Sequence, residues 1–429
     1  MTTTTPPLAD LLPERMGSPD DWIVQGTAPD AVVEAASADE VVDALKAANA
    51  EGWAVEPAGA GTWLNSGRPP ARLDLVLATR GLARPPDHAP EDLTVAVDAG
   101  VTLGELQATL ARQGQWLPLD PPGGDEGTIG ALVATAAAGP LRHGYGTPRD
   151  HVLGVDVVAG DGRVLRFGGR VVKNVAGYDL TRLLVGSRGT LGVITRANFR
   201  LYPLPERDAT RVVRAADAQP LLSLIHDVRE QHVGFVALEL LNPRAGARVV
   251  PPASASWLLM ARAHGNADAV AATLDTFETL CADHDVGVET DADAETWKRL
   301  AGLEAEAPFV VRFADRPASL DATLERARAL AADGVTLAAH ADGIVRVMFD
   351  AAATAALDLE AVARRLDAAR ASLSGHRGSV VLGSAPPDVA DRFDPFGDPG
   401  PVRRLMQGLK RTFDPAGVLS PGRFVFDAG

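Results

Sequence analysis

The pattern of apolar and polar positions changes character about halfway along the chain. In the first half, short strand-like runs are separated by glycine-rich turns. AVVEAA (Ala31–Ala36) predicts a strand, and Ser37 with Glu40 three residues on forms a capping box opening a helix that ends near Gly52. Trp53–Glu56 predicts a second strand, so the loop EPAGAGTWLNSG (Glu56–Gly67) leaves a β-α-β unit. Leu73–Thr79 and Leu93–Gly100 predict further strands. Thr102 and Glu105 cap a helix through Arg112 that stops at Gly114, and QWLPL (Gln115–Leu119) is strand-like. A small-residue helix begins near Thr128. HVLGVDVVAGDGRVLRF predicts a hairpin about Asp161-Gly162, and a short helix spans Asp179–Val185.

After Pro205 glycine loops become scarce. Strand-like runs such as FVALELL, SWLLMARA, PFVVRF, GIVRVMF and SVVLG alternate with alanine-rich helical stretches. This predicts a second α+β domain with helices layered on a sheet. The last thirty or so residues read as a loop, one helix and an irregular closing segment, and no heptad, short repeat or low-complexity linker interrupts the chain.

At 429 residues the chain exceeds one ordinary domain. Its 46% apolar and 23% charged residues are those of a globular protein, and its net charge of −15 argues against nucleic acid or an anionic membrane as the main partner. One cysteine, Cys281, excludes a disulfide within the chain and an iron–sulfur cluster built from its own thiolates. The N-terminal stretch reads as a polar tail rather than a signal peptide. No apolar run is long enough to span a bilayer. The expectation is a cytoplasmic protein with no transmembrane segment.

Three glycine-rich turns, PAGAGTWLNSG, PPGGDEGTIGA and GSRGTLGVIT, each lie beside a strand. Glycine lets a ligand approach bare N–H groups, consecutive N–H groups form a nest for phosphate, and a helix start adds partial positive charge. Thr62, Ser66 and Thr128 supply hydroxyls. There is no GxxxxGK[ST], and Pro69-Pro70 follow the first turn where a GxGxxG fingerprint would need a helix. An extended diphosphate ligand, touched at several places, fits better than a mononucleotide.

Together these segments resemble the FAD-binding domain of vanillyl-alcohol-oxidase-type (PCMH-type) flavoproteins, from Trp22 to about Pro205. PAGAGTW (Pro57–Trp63) is similar to the family's pyrophosphate turn, and PGGDEGTIG (Pro122–Gly130) to its second contact segment. TAAAG (Thr135–Gly139) is similar to the helix end that follows, and RGTLGVIT (Arg188–Thr195) to its Gly-Thr-Leu-Gly-Val-Ile segment. RHGYGTPRDHVLGV, Gly168–Thr195 and the closing FDPAGVLSPGRF (Phe413–Phe424) narrow the resemblance to E-type FAD-binding subunits of bacterial glycolate oxidases.

The resemblance implies an α+β chain: a tail at 1–21, a two-subdomain PCMH-type FAD-binding domain at 22–205, an α+β (ferredoxin-like) cap at 206–395, and a segment at 396–429 returning to the FAD domain. FAD contacts are implied for Pro57, Ala58, Gly59, Ala60, Gly61, Thr62, Trp63, Asn65 and Ser66. They are implied likewise for Pro122, Gly123, Thr128, Ile129, Gly130, Thr135, Ala138, Gly139, Arg142 and Gly144, and for Gly189, Thr190, Gly192, Val193 and Ile194. No His or Cys occupies the first loop, where some relatives tether flavin, so the FAD is expected to be non-covalent. A small 2-hydroxy acid substrate is implied, with a D-type flavoprotein subunit and an iron–sulfur subunit as partners.

Oxidising such an acid needs a hydride acceptor, a base for the hydroxyl proton and a cation for the carboxylate. Catalytic relatives carry His-Ala-Gly-Asp-Gly-Asn-Leu-His and Glu-His-Gly in the cap. Here AAHADGIVRV (Ala338–Val347) keeps His340, has Arg346 for the second histidine, and no Glu-His-Gly occurs. The nine histidines form no HxH or HxxxH pair, so no metal is assigned. Arg142 and His143 read either as carboxylate or flavin contacts or as a solvated turn. Lys173, Asn174 and Tyr178 read likewise, and Arg312 and Arg346 either serve a site or alternate outward to solvent.

Overall fold

The computed structural model describes residues 12–170, 179–252, 254–330, 335–373 and 378–424. They fall into two compact units. The first is the chain to Ala137 with Thr147–Leu204 and the segment from Pro386 on; the second is Ala138–Gly146 with Pro205–Ala385.

The first unit holds two sheets. Ala31–Glu34, Leu75–Ala78 and Val55–Ala58 form a parallel sheet in that spatial order. The β-α-β unit expected from sequence is thus split, because a later strand slots between the two that the helix Ala38–Glu51 connects. The helix begins as its residues dictate. Ser37 Oγ accepts from the Glu40 N–H, but the Glu40 carboxylate takes the Ala36 N–H and not that of Ser37, which leaves half a capping box. Gly52, at φ +70°, ends it in the left-handed conformation. Val41, Ala44, Leu45 and Ala48 are buried with Val33, Val55, Leu75 and Leu77, which fixes the helix on the sheet.

The second sheet is antiparallel, in the order Asp87–Ala89, Thr94–Asp98, Val193–Arg200, Val152–Val158, Val164–Gly168. Its last two strands are the expected hairpin. Thr102 and Glu105 make both halves of their capping box. The QWLPL run shortens to Gln115–Trp116, since Pro118 lacks an N–H and the Gln107 amide takes both backbone groups of Leu117. The helix Ile129–Thr135 buries Ile129, Leu132 and Val133 against Val97, Val155 and Phe199.

In the second unit one eight-stranded antiparallel sheet runs Val288–Ala292, Arg207–Ala215, Trp257–Gly265, Ala237–Leu241, Thr336–His340, Ile344–Phe349, Phe309–Ala314, Ser379–Ser384. With the intervening helices this is two consecutive β-α-β-β-α-β repeats. Numbered within its own repeat, each set of four strands lies in the order 4-1-3-2, and the repeats join second strand to second strand, with Glu239 opposite His340. The ferredoxin-like topology expected once from resemblance therefore occurs twice. Arg312 and Arg346 lie opposite each other on neighbouring strands and are both engaged by Glu304 of the helix Ala294–Glu306; Arg346 is buried and Arg312 half-buried, so neither is a free solvent-facing charge. Among the described residues no helix is long and apolar enough to cross a membrane.

Candidate functional site

The first glycine loop leaves the sheet where the carbonyl of Ala58 accepts from both the N–H and the hydroxyl of Thr79, at 2.8 and 3.0 Å. Beyond it, the N–H groups of Gly59, Ala60, Gly61, Thr62 and Trp63 have no acceptor among the described residues. Then the polarity reverses. The carbonyls of Asn65 and Gly67 accept from the Gln25 amide, and those of Leu64, Ser66 and Arg68 from the Arg423 guanidinium. Ala58, Gly59, Gly61, Thr62, Trp63 and Ser66 line a cavity with about 760 Å³ of empty space that includes open solvent.

The other two glycine segments fit into the first by close approach. A Cβ on Gly59 would lie 1.9 Å from Thr128 Oγ1, and one on Gly127 would lie 2.7 Å from Trp63 Cη2. Thr128 is fully buried, and its hydroxyl has no partner among the described residues. Gly130, Ala131, Ala134 and Thr135 of the adjoining helix line the cavity, as do Gly189, Gly192, Val193 and Ile194 of the third segment. Gly189, at φ +74°, packs on the Pro57 ring, another lining residue.

The C-terminal segment completes the site. Arg423 Nε pairs with Glu56 Oε1 at 3.1 Å, and both side chains are buried and line the cavity. Burial raises the Glu56 pKa, with Arg423 and more distant cations opposing it. Lys410 Nζ donates to the carbonyls of Thr190 and Leu419 and to Asp414, tying the third glycine segment to the same tail.

Of the residues singled out from sequence, Ala60, Asn65, Pro122, Gly123, Thr128, Ile129 and Thr190 lie in this unit without lining the cavity. Two hydroxyls are already spent: Thr190 donates to the Ser187 carbonyl and Thr135 to that of Ala131. Ser66 Oγ accepts from Arg188 at 2.6 Å. Ala138, Gly139, Arg142 and Gly144 belong to the second unit. Sequence reasoning passed over Gln25, Glu56, Thr79, Arg188 and Arg423. The SPGR closing stretch was the one available clue, since a lone Gln or Glu beside a glycine loop has no distinguishing pattern.

In the second unit Arg312, His340 and Arg346 share one polar network through Glu239 and Glu304, while Arg142 makes a pair of its own. Arg142 pairs with Asp342 at 2.6 Å, Arg346 with Glu239 at 2.6 Å, and Arg312 with Glu304. His340, 3% exposed, hydrogen-bonds through Nδ1 to Glu239. Its burial, then the charges of Arg346, Arg142 and His143, hold its pKa well below the ordinary histidine value. Burial also lowers that of His143. A neighbouring cluster joins Tyr145 Oη to His264 Nδ1 at 3.1 Å, with Asp208 held by Arg262 and His264. Lys173, Asn174 and Tyr178 lie outside the described residues.

Residues 29–168 match a family model described as an FAD binding domain. The chain is 31% identical over 344 residues to glycolate oxidase subunit GlcE of Escherichia coli (strain K12), covering 79% of this chain and 83% of that one. It is 32% identical over 263 residues to glycolate oxidase subunit GlcD of Bacillus subtilis (strain 168), of which it spans little more than half, 56%. Among solved structures, alkyldihydroxyacetonephosphate synthase superposes with a TM-score of 0.69 at 16% identity, covering 93% of this chain and 78% of that one, a likeness of fold alone. The cavity fits the pyrophosphate of FAD: a run of unengaged N–H groups lies along it where Gly59 bears no side chain, with the orphaned Thr128 hydroxyl packed behind that glycine.

Gly59→Ala is expected to lower both flavin content and melting temperature, because the new methyl meets the buried Thr128 Oγ1; the ratio of flavin to protein absorbance after purification and a thermal melt check it. His340 offers a pH test. It is neutral when folded and takes up a proton on unfolding, so its contribution to stability is complete above about pH 6.5 and declines below it. The fall in melting temperature from about pH 7.5 to about pH 5.5 should be smaller in His340→Gln than in the wild type.

Proposed function

We propose, on the premise that this chain belongs to the family of FAD-dependent oxidoreductase subunits that includes glycolate oxidase subunit GlcE, that it is the FAD-holding subunit of a glycolate oxidase-like complex. The reaction would be oxidation of a small 2-hydroxy acid, glycolate to glyoxylate, with electrons passing to an iron–sulfur partner beside a D-type flavoprotein subunit. We place the complex in the cytoplasm, with any membrane association supplied by partner subunits.

The observation that carries this reading is the run of unengaged N–H groups from Gly59 to Trp63, at a cavity lined by all three glycine segments. When bound, FAD would supply two-electron acceptor chemistry. The chain's own residues hold and orient. The N–H groups of the first loop would take the pyrophosphate oxygens. Arg423, paired with Glu56 and bonded to the carbonyls of Leu64, Ser66 and Arg68, would hold the loop and not the phosphate. None of the lining residues is His or Cys, which supports a dissociable flavin.

The second unit supports a subunit that depends on a partner for turnover. A 2-hydroxy acid needs a cation for its carboxylate, yet Arg142, Arg262, Arg312 and Arg346 are each bound to a carboxylate of the protein. His340 is committed to Glu239 in the same way. A stand-alone D-lactate-type dehydrogenase would have to break one of these pairs on binding substrate. A catalytically silent assembly subunit is the remaining alternative.

Mixing the flavin-loaded chain anaerobically with glycolate is the test. The expected outcome is no bleaching of its flavin alone and bleaching once a D-type subunit is added, read as loss of absorbance at the flavin band. Bleaching of the isolated chain would establish a stand-alone dehydrogenase, and no bleaching of this chain's flavin in the complex would leave assembly as its role.

A further inference from the structure

Every peptide group carries a donor and an acceptor, so a loop that keeps its N–H groups for a ligand must dispose of its carbonyls elsewhere. Here five consecutive carbonyls, Leu64 to Arg68, are satisfied by two side chains from opposite ends of the described chain. Gln25 sits in a tight turn in which Val24 and Thr27 exchange backbone hydrogen bonds and Gln25 and Gly26 take φ +48° and +78°. That turn aims its amide at the Asn65 and Gly67 carbonyls. Arg423 reaches the other three from a segment 355 to 359 residues away. Its own carbonyl accepts from the Arg68 N–H at 3.4 Å, and a Cβ on Gly67, at φ +92°, would lie 3.1 Å from that oxygen.

We infer that Gln25 and Arg423 are positioning residues that set the polarity of the first glycine loop. They hold the carbonyls of 64–68 inward and leave the N–H groups of 59–63 for the diphosphate. Glu56 is the counterion that lets the guanidinium stay buried at this point. The inference rests on the FAD reading for the identity of the ligand, but the ordering of the loop is a property of the apoprotein.

Lysine cannot replace the arginine here. A single ammonium satisfies the charge of Glu56 but has neither the planar fork nor the four donors needed to reach three carbonyls and a carboxylate together. The test compares wild type, Arg423→Lys and Gln25→Ala as apoproteins with two readouts. Titration with FAD, followed by quenching of flavin fluorescence, should show dissociation constants about 10- to 100-fold weaker in each variant, as expected for losing two or three buried hydrogen bonds. Hydrogen exchange, which needs no ligand, should show the Leu64 and Ser66 amides, bonded to Gly61 and Trp63 in the wild type, exchanging faster in both variants. Variants that bind FAD as tightly as wild type and keep those amides protected overturn the inference. A wild type that takes up no FAD while the exchange difference appears defeats the FAD reading and leaves the positioning roles standing. Should Arg423→Lys fail to fold, Gln25→Ala decides by itself, because it removes no charge.

Discussion

The site depends on which way one short stretch of backbone faces. Between Gly59 and Arg68 the chain presents N–H groups first and turns its carbonyls away afterwards, and each half requires the other. Left to itself such a loop would satisfy its own donors with its own acceptors. What prevents this is a buried cation, Arg423, placed against the carbonyls and neutralised by Glu56. A buried arginine with its carboxylate removed would destabilise by about 3 to 5 kcal/mol, so neither member of the pair is readily given up. The remaining glycines then follow from space: Gly59 admits the Thr128 hydroxyl and Gly127 admits the Trp63 ring. The three segments can lock together only because these positions lack side chains.

The second unit solves a different problem. Two β-α-β-β-α-β repeats joined edge to edge bring Glu239 and His340 face to face at the seam, and charged side chains there must be paired to remain buried. Glu239 accepts from both His340 and Arg346, while Glu304 serves Arg312 and approaches Arg346 at 3.6 Å. These are the residues that, read as a motif, suggested catalysis. In the structure they are consumed by one another, which is the physical basis for the proposal that turnover needs a partner.

Local features were legible in the sequence and long-range ones were not. The Thr102–Glu105 box, the hairpin about Asp161-Gly162, the Gly52 stop and the three glycine segments all depend on residues a few positions apart, and periodicity or turn chemistry displays them. Ser37–Glu40 came out half right because the choice between two neighbouring N–H groups is one of geometry. The hydroxyl of Ser66 accepts from Arg188, 122 residues away, a partner that no local pattern displays, and keeps its O–H as a donor. The doubled cap has no short period to betray it, since the repeats share topology while their side chains differ. Arg423 and Gln25 act through bonds spanning most of the chain, and no local pattern encodes such a pair.

On the reading proposed above, the first glycine loop grips FAD by its diphosphate. The measurement that tests it most directly is titration of the apoprotein with FAD and with riboflavin, side by side, by fluorescence quenching. FAD is expected to bind at least ~100-fold more tightly, since riboflavin offers nothing to the N–H groups of the first loop. Equal affinity for the two would contradict it.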